Sequence, residues 1–297
     1  MIKTIKELLQ TAKTHEAKPL FVAKANDEPV LKAVKAAQED TLVNAVLIDG
    51  KDELLKTMDA LDMDPADYTI IDEADKVKAC ERAVEEVRKD PQSVLMKGLV
   101  DTSTILKAAL KKETGMRTDN RLSHVTVLES RQYHKLLMMS DGAMNIAPDA
   151  QIKKEIIENA VEVASSLGIV PAHVGIIAAL EKVNDKMPAT LDAVTLKETP
   201  VEGAVIDGPF AIDNAIDKEA AEHKGIDSKI AGDVDILLMP AIEAGNVFYK
   251  TMMFLCNAKS ASVIAGATHP IVLTSRADSF ETKFYSIALA ALHAASK

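Results

Sequence analysis

The chain has 297 residues, of which 47% are hydrophobic, enough for one large core or two smaller ones, with two domains the better expectation at this length. A formal net charge of −10, with neither a basic stripe nor a basic aromatic cluster, excludes bulk binding to nucleic acid or an anionic membrane, so an anionic substrate must meet a locally positive pocket. No apolar run is long enough to span a bilayer, Cys80 and Cys256 are far apart without metal-ligand spacing, and no secretory signal precedes the first helix, so the cytoplasm is the expected compartment.

From the N-terminus, apolar strands alternate with amphipathic helices. A helix is expected over 2–13, strands over 20–23, 44–48, 68–71, 93–96, 124–128 and 135–139, and helices over 29–38, 51–61, 75–89 and 104–111. Each intervening helix has about the length of a crossover connection, which implies an α/β chain with a parallel sheet. The segment Asn145-Ile146-Ala147-Pro148-Asp149 is turn chemistry between a strand and a long helix, and marks a candidate domain boundary. Beyond it come a strongly periodic helix over 150–167, a strand over 174–179, a helix after Met187, a strand over 204–206, a helix near 218–222 and a strand over 234–239. No repeat or low-complexity run is present.

The chemistry concentrates in two segments. In Pro270-Ile271-Val272-Leu273-Thr274-Ser275-Arg276-Ala277-Asp278-Ser279, an apolar strand runs directly into hydroxyls, a guanidinium and a carboxylate, just before a helix over 280–295. Cap side chains, backbone N–H groups and the helix dipole favour an anion there, and Arg276 supplies a planar fork for phosphate or carboxylate oxygens. The competing reading is that Ser279 or Asp278 only caps the helix and Arg276 is a solvated charge. The second segment, residues 232–250, has the same plan: an apolar strand, the turn Glu243-Ala244-Gly245-Asn246, then Tyr249-Lys250 on a helix.

Together these segments resemble the phosphate acetyl/butyryltransferase family, in which a strand, an acidic-Ala-Gly-Asn turn and Tyr-Lys are followed some tens of residues later by a strand ending in Ser-Arg. The matching residues are Glu243, Ala244, Gly245, Asn246, Tyr249, Lys250, Ser275 and Arg276. The butyryl branch is matched further by Leu95-Met96-Lys97-Gly98 with Thr102-Ser103, by the stretch from Ser140 to Pro148, by Lys186-Met187-Pro188-Ala189-Thr190, by Asp207-Gly208-Pro209 with Asp213-Asn214-Ala215, and by Lys224-Gly225-Ile226. The resemblance covers most of the chain from about Leu95 onward.

It implies two α/β/α domains of the isocitrate and isopropylmalate dehydrogenase type with the active site in the cleft between them. The first would comprise 1–147 and 263–297, the second 148–262. The implied activity is reversible transfer of a butyryl or branched-chain acyl group between coenzyme A and inorganic phosphate by a homodimer, with acetyl-CoA as the alternative substrate. No metal or redox cofactor is required: acyl-CoA and phosphate are both substrates. Ser275, Arg276 and Asp278 are the expected catalytic residues. Arg276 would hold phosphate, Ser275 would hydrogen-bond the reacting carbonyl, and Asp278 would take the thiol proton, unless Glu281 does so or Asp278 only orients Arg276.

Lys97, Thr102, Ser103, Asp141, Asn145, Asn246 and Lys250 are expected to bind substrate, since ligands of open α/β sheets collect outside the carboxyl ends of the strands. All but Lys97 have a plainer reading: helix capping for Thr102 and Ser103, an Asx turn for Asp141 and Asn145, first-turn chemistry for Asn246, solvation for Lys250. Lys107 departs from the family, standing where the acetyl enzymes usually carry an arginine. His124 and His173 read as core residues. Met138, Met139 and Met144 read as packing that could also shape an acyl pocket. Two other functions fit less well. A metal- and nicotinamide-dependent dehydrogenase would need clustered aspartates and an arginine set that are not visible, and the intact Ser-Arg-x-Asp turn makes a CoA- or phosphate-binding protein without turnover the weaker reading.

Overall fold

The computed structural model describes residues 1–275 and 277–297. The described chain divides into two compact units, a flanking unit of Lys6–Asp119 with Ala261–Lys297 and a central unit of Asn120–Ser260 with Met1–Ile5. In chain order the elements are α1 (Ile5–Ala12), β1 (Lys18–Ala23), α2 (Glu28–Glu39), β2 (Val43–Asp49), α3 (Lys51–Ala60), β3 (Thr69–Asp72), α4 (Lys76–Val87), β4 (Val94–Lys97) and α5 (Thr102–Ala109). Then follow β5 (Ser123–Glu129), β6 (Leu137–Ser140), α6 (Ala150–Ser166), β7 (Ala172–Ile177), α7 (Pro188–Lys197), β8 (Ala204–Phe210), α8 (Ile212–Ile216), α9 (Lys218–His223), β9 (Ile236–Leu238) and α10 (Ile242–Phe254). The chain ends with β10 (Lys259–Ala265), β11 (Ile271–Val272) and α11 (Phe280–Ala295).

In the flanking unit the strands lie in the order β3-β2-β1-β4-β11-β10. Leu20 of β1 registers with Ala45 of β2 on one side and Val94 of β4 on the other, all parallel. The chain moves outward from β1 to β3 and returns to β4 across β1. Right-handed crossovers therefore put α2 and α4 on opposite faces and leave a switch point between β1 and β4. Beside β4, β11 runs parallel, with Val272 opposite Met96. The segment after Val272 thus leaves the sheet at the same edge as Lys97.

Local chemistry explains the helices that frame this edge. Asp27 accepts the Val30 N–H at 3.3 Å, Pro29 sits in the first turn, and Val30, Leu31, Val34 and Ala37 put one apolar face inward, so α2 forms where the periodicity requires. Ser279 caps α11 by accepting the Thr282 N–H at 3.2 Å. The small and aliphatic residues that follow allow α11 to be buried almost continuously from Ser286 to Ala294.

The central unit has the order β5-β6-β9-β7-β8. Here β6 and β7 both pair parallel with β9, at Met138↔Ile236 and Val174↔Ile236, while β5 and β6 are antiparallel. Leu128, Leu137, Met139, Phe210, Val234 and Leu237 pack into one core. The compact units part at Ile5/Lys6, Asp119/Asn120 and Ser260/Ala261, whereas the expected domain division lies at 147/148 and 262/263. Strand β6 pairs with β9 within the central unit.

Two other readings need correction. The sheet is mixed rather than wholly parallel, because β5 pairs antiparallel with β6 and β10 with β11. Strand β10 was not anticipated: six of its seven residues, Lys-Ser-Ala-Ser-Val-Ile-Ala, are buried, so the alternation that marks a one-sided strand is missing, and serine and alanine carry little β-propensity.

Candidate functional site

The Ser-Arg-x-Asp turn bridges β11 and α11. Arg276 lies outside the described residues; its neighbours form a turn closed by its own hydrogen bonds. Asp278 Oδ2 accepts the Ser275 N–H at 2.7 Å, Ser275 Oγ accepts the Ala277 N–H at 3.3 Å, and the Ser275 carbonyl accepts the Asp278 N–H at 3.2 Å. Ser275 and Ala277 are exposed. Sequence reading missed Lys283, which is buried one turn into α11 and donates from Nζ to the carbonyls of Ser275 at 3.0 Å and Asp278 at 2.8 Å. Burial lowers the pKa of its ammonium below the usual lysine value, against the opposing pull of Asp278 and Asp27. A signal existed: Lys283 shares the apolar face of α11 with Ile287 and Ala290, where a charge demands a partner.

The turn from β4 to α5 lies at the same sheet edge. Gly98 and Leu99 donate to the carbonyls of Ala23 and Lys24 at 2.9 and 2.7 Å, so β4 and β1 stay zipped past the end of the strands. Only glycine fits at Gly98, because a Cβ there would meet the Lys24 carbonyl. Lys97 is buried, with Nζ 3.2 and 3.3 Å from the carbonyls of Gly98 and Val100, so its ammonium grips its own turn. Thr102 and Ser103 are exposed in the first turn of α5, where the N-cap Asp101 makes no side-chain cap bond. Two hydroxyls therefore stand together at the N-terminus of α5, the end at which the helix dipole favours negative charge. Lys107 is exposed farther along α5.

In the central unit Asp141 follows β6 and is buried. Its Oδ1 accepts the N–H groups of Ala143 and Met144 at 2.8 and 3.0 Å, and its Oδ2 accepts the Asn145 side-chain N–H at 2.7 Å. Asn145 Nδ2 also reaches the Leu122 carbonyl at 2.9 Å. The Asx-turn arrangement is therefore present, and it orders the backbone beside the start of α10. Gly142 meets Gly245 closely enough that a Cβ on Gly142 would lie 3.1 Å from the Gly245 carbonyl carbon, and Asn246 Nδ2 donates to the Gly142 carbonyl at 3.3 Å. Asp141, Asn145 and Asn246 are thus assembled into one turn pair. Lys250 stands apart on the exposed side of α10, 6.0 Å from the rings of Tyr249 and Phe254. The N-cap of α10, Ala241, has no side-chain cap bond either.

Met138 and Met139 are buried in the core, and His124 is buried edge-on to Tyr249 at 6.4 Å between ring centroids. His173 Nδ1 lies 3.1 Å from the Asp233 carbonyl oxygen. Burial pushes the Cys80 thiol up to about 11, which makes it a poor nucleophile at neutral pH.

Glycine-lined turns and uncapped helix starts at the carboxyl ends of parallel strands are the features of an α/β protein that receives anionic ligands. A family model described as Phosphate acetyl/butaryl transferase matches residues 75–291. The chain is 44% identical to a phosphate butyryltransferase of Clostridium acetobutylicum over 100% of both chains, and 44% identical to one of Clostridium beijerinckii over 99% of both. Among solved structures, a branched-chain phosphotransacylase from Enterococcus faecalis V583 superposes with a TM-score of 0.84 at 32% identity, covering 93% of this chain and 99% of that one. The chain belongs to the phosphate acetyl/butyryl transferase family.

Proposed function

We propose that the chain is a phosphate acyltransferase that moves a butyryl or branched-chain acyl group reversibly between coenzyme A and inorganic phosphate. The observation that carries this reading is the end-to-end identity to phosphate butyryltransferases, with Ser275, Arg276 and Asp278 intact between strand and helix. In the direction of thioester formation, Asp278 takes the proton from the CoA thiol, the sulfur attacks the carbonyl carbon of the acyl phosphate, and the C–O bond to phosphate breaks. Arg276 holds the departing phosphate and the charge growing on it, and Ser275 hydrogen-bonds the reacting carbonyl. Glu281 is the alternative base. Thr102 and Ser103 offer hydroxyls and helix N–H groups to substrate phosphates, while Lys97, Asp141 and Asn145 shape the turns that carry the contacts; Asn246 and Lys250 meet substrate from α10. Two α/β/α domains of the isocitrate and isopropylmalate dehydrogenase type, a cytoplasmic location and a homodimer belong to the same proposal. A stable monomer mass by light scattering at micromolar concentration would remove the dimer.

The test is phosphate-dependent release of CoA from a series of acyl-CoA esters. An added methylene in an apolar pocket is worth about 1–3 kcal/mol, so kcat/KM should be highest for butyryl-CoA or isovaleryl-CoA and fall in a graded way toward acetyl-CoA. Acetyl-CoA as the best substrate would reassign the enzyme to acetyl transfer. Absence of turnover with every ester would leave the binding-protein reading.

A further inference from the structure

We infer that Lys283 is the positioning residue that holds the Ser275–Asp278 turn in its reactive geometry, an inference that rests on the proposed role of that turn. The turn's described internal hydrogen bonds lie within four residues, and Ser275 and Ala277 are exposed, so a bond from a buried helix adds a constraint that the turn does not supply locally. Lys283 supplies that constraint. Its ammonium donates to the carbonyls at both ends of the turn, at 3.0 Å to Ser275 and 2.8 Å to Asp278. The lysine itself is only 3% exposed and sits on α11 among buried residues, so the grip is transmitted to one of the least mobile elements of the fold.

The chemistry gives this grip a purpose. The C=O and N–H of a trans peptide point in opposite directions, so capturing the Asp278 carbonyl turns the Ser279 N–H away from the ammonium. The same two bonds fix where the Ser275 and Asp278 side chains originate. Reacting groups must be held to about half an ångström, and two bonds from a buried helix to the ends of the turn contribute to that precision. The local architecture repeats the device: Lys97 grips the carbonyls of Gly98 and Val100 in the neighbouring turn.

Replacing Lys283 by methionine keeps an apolar stem of similar length but donates nothing; arginine keeps the charge and two forward donors; glutamine keeps one donor. Initial rates with butyryl-CoA and phosphate, normalised to folded protein and taken well below each variant's melting temperature, should show Lys283→Met lowering kcat at least about thirtyfold with the KM for butyryl-CoA changed less than threefold. Lys283→Arg should recover most of that loss and Lys283→Gln should fall between. A role confined to stability would lower the melting temperature of Lys283→Met and leave kcat per folded molecule within threefold of wild type, which overturns the inference. Arginine as slow as methionine overturns it as well, because packing and not the donated bonds would then matter. Should methionine fail to fold, the arginine–glutamine difference decides in the same way. Arg276→Lys serves as the control for the underlying reading: slow Arg276→Lys with fast Lys283→Met removes the positioning role alone, whereas fast Arg276→Lys removes the turn from catalysis and the inference with it.

Discussion

Ser275 and Asp278 each combine an observed hydrogen bond within the turn with a proposed catalytic role. Asp278 accepts the Ser275 N–H and is the proposed base, and asparagine at that position can still accept the N–H through its amide oxygen but cannot take a proton. Asp278→Asn should therefore retain the fold of the turn, lower kcat, and erase the acidic limb of the pH profile for thiol attack. Retention of that limb in the variant would move the base to Glu281. For Arg276→Lys the charge persists while the bidentate fork is lost, so kcat should fall about 10²–10³-fold, the usual effect of removing one transition-state donor. Ser275→Ala removes a hydroxyl that assists and should cost less. If Arg276→Lys and Asp278→Asn both turn over near the wild-type rate, the turn is only a helix cap.

At the scale of elements, the site depends on backbone approaching backbone. Helix α10 starts against the β6 turn at Gly245, where an added Cβ would lie 2.8 Å from the Gly142 Cα and press on the Asp141 carbonyl. Alanine in a helix gains about 1 kcal/mol over glycine, whereas overpacking costs about 1–3 kcal/mol, and the obstruction is backbone that cannot rotate aside. Gly245→Ala should therefore be destabilising in urea titrations and should displace Asn246; a gain in stability would show that the two turns are not packed as described. Legibility follows the same division. The caps and apolar periodicity of α2, α6 and α11 could be read directly, since each is a local pattern. Strand β10 and the pairing of β6 with β9 could not, because they depend on partners far away in sequence.

The stability of the whole molecule carries its own pH dependence. His293 is fully buried in α11, neither ring nitrogen has a hydrogen-bond partner among the described residues, and burial drives its pKa from 6.5 to about 3. The unfolded chain therefore takes up the proton first as pH falls through 6.5, and the stability contributed by the neutral ring is complete above that pH and lost on the way down to about 3. By pH 5 the loss from this one group is about 2 kcal/mol. His269 adds to it, since burial lowers its pKa too. Urea unfolding at pH 7 and pH 5 should show His293→Leu reducing the difference between the two conditions by about that amount; an unchanged difference would mean that the ring is hydrated in the folded protein.

The sequence by itself determined the α/β class, most of the strands and helices, the family, and the two polar turns proposed to carry the chemistry, because propensity, capping and motif are written in neighbouring residues. Tertiary structure decided what the polar side chains in those turns hold. Lys97 reads as a substrate ligand in sequence, and folding also sets its ammonium against the carbonyls of its own turn. Asp141 reads equally as ligand or turn, and its oxygens are occupied by the N–H groups of residues 143 and 144 and the Asn145 amide. Lys283 drew no notice in the sequence, and only folding brings its ammonium under the carbonyls of Ser275 and Asp278. The physical reason is common to all three: a hydrogen bond depends on distance and direction in space, and a buried charge must find its partner wherever the fold has put one.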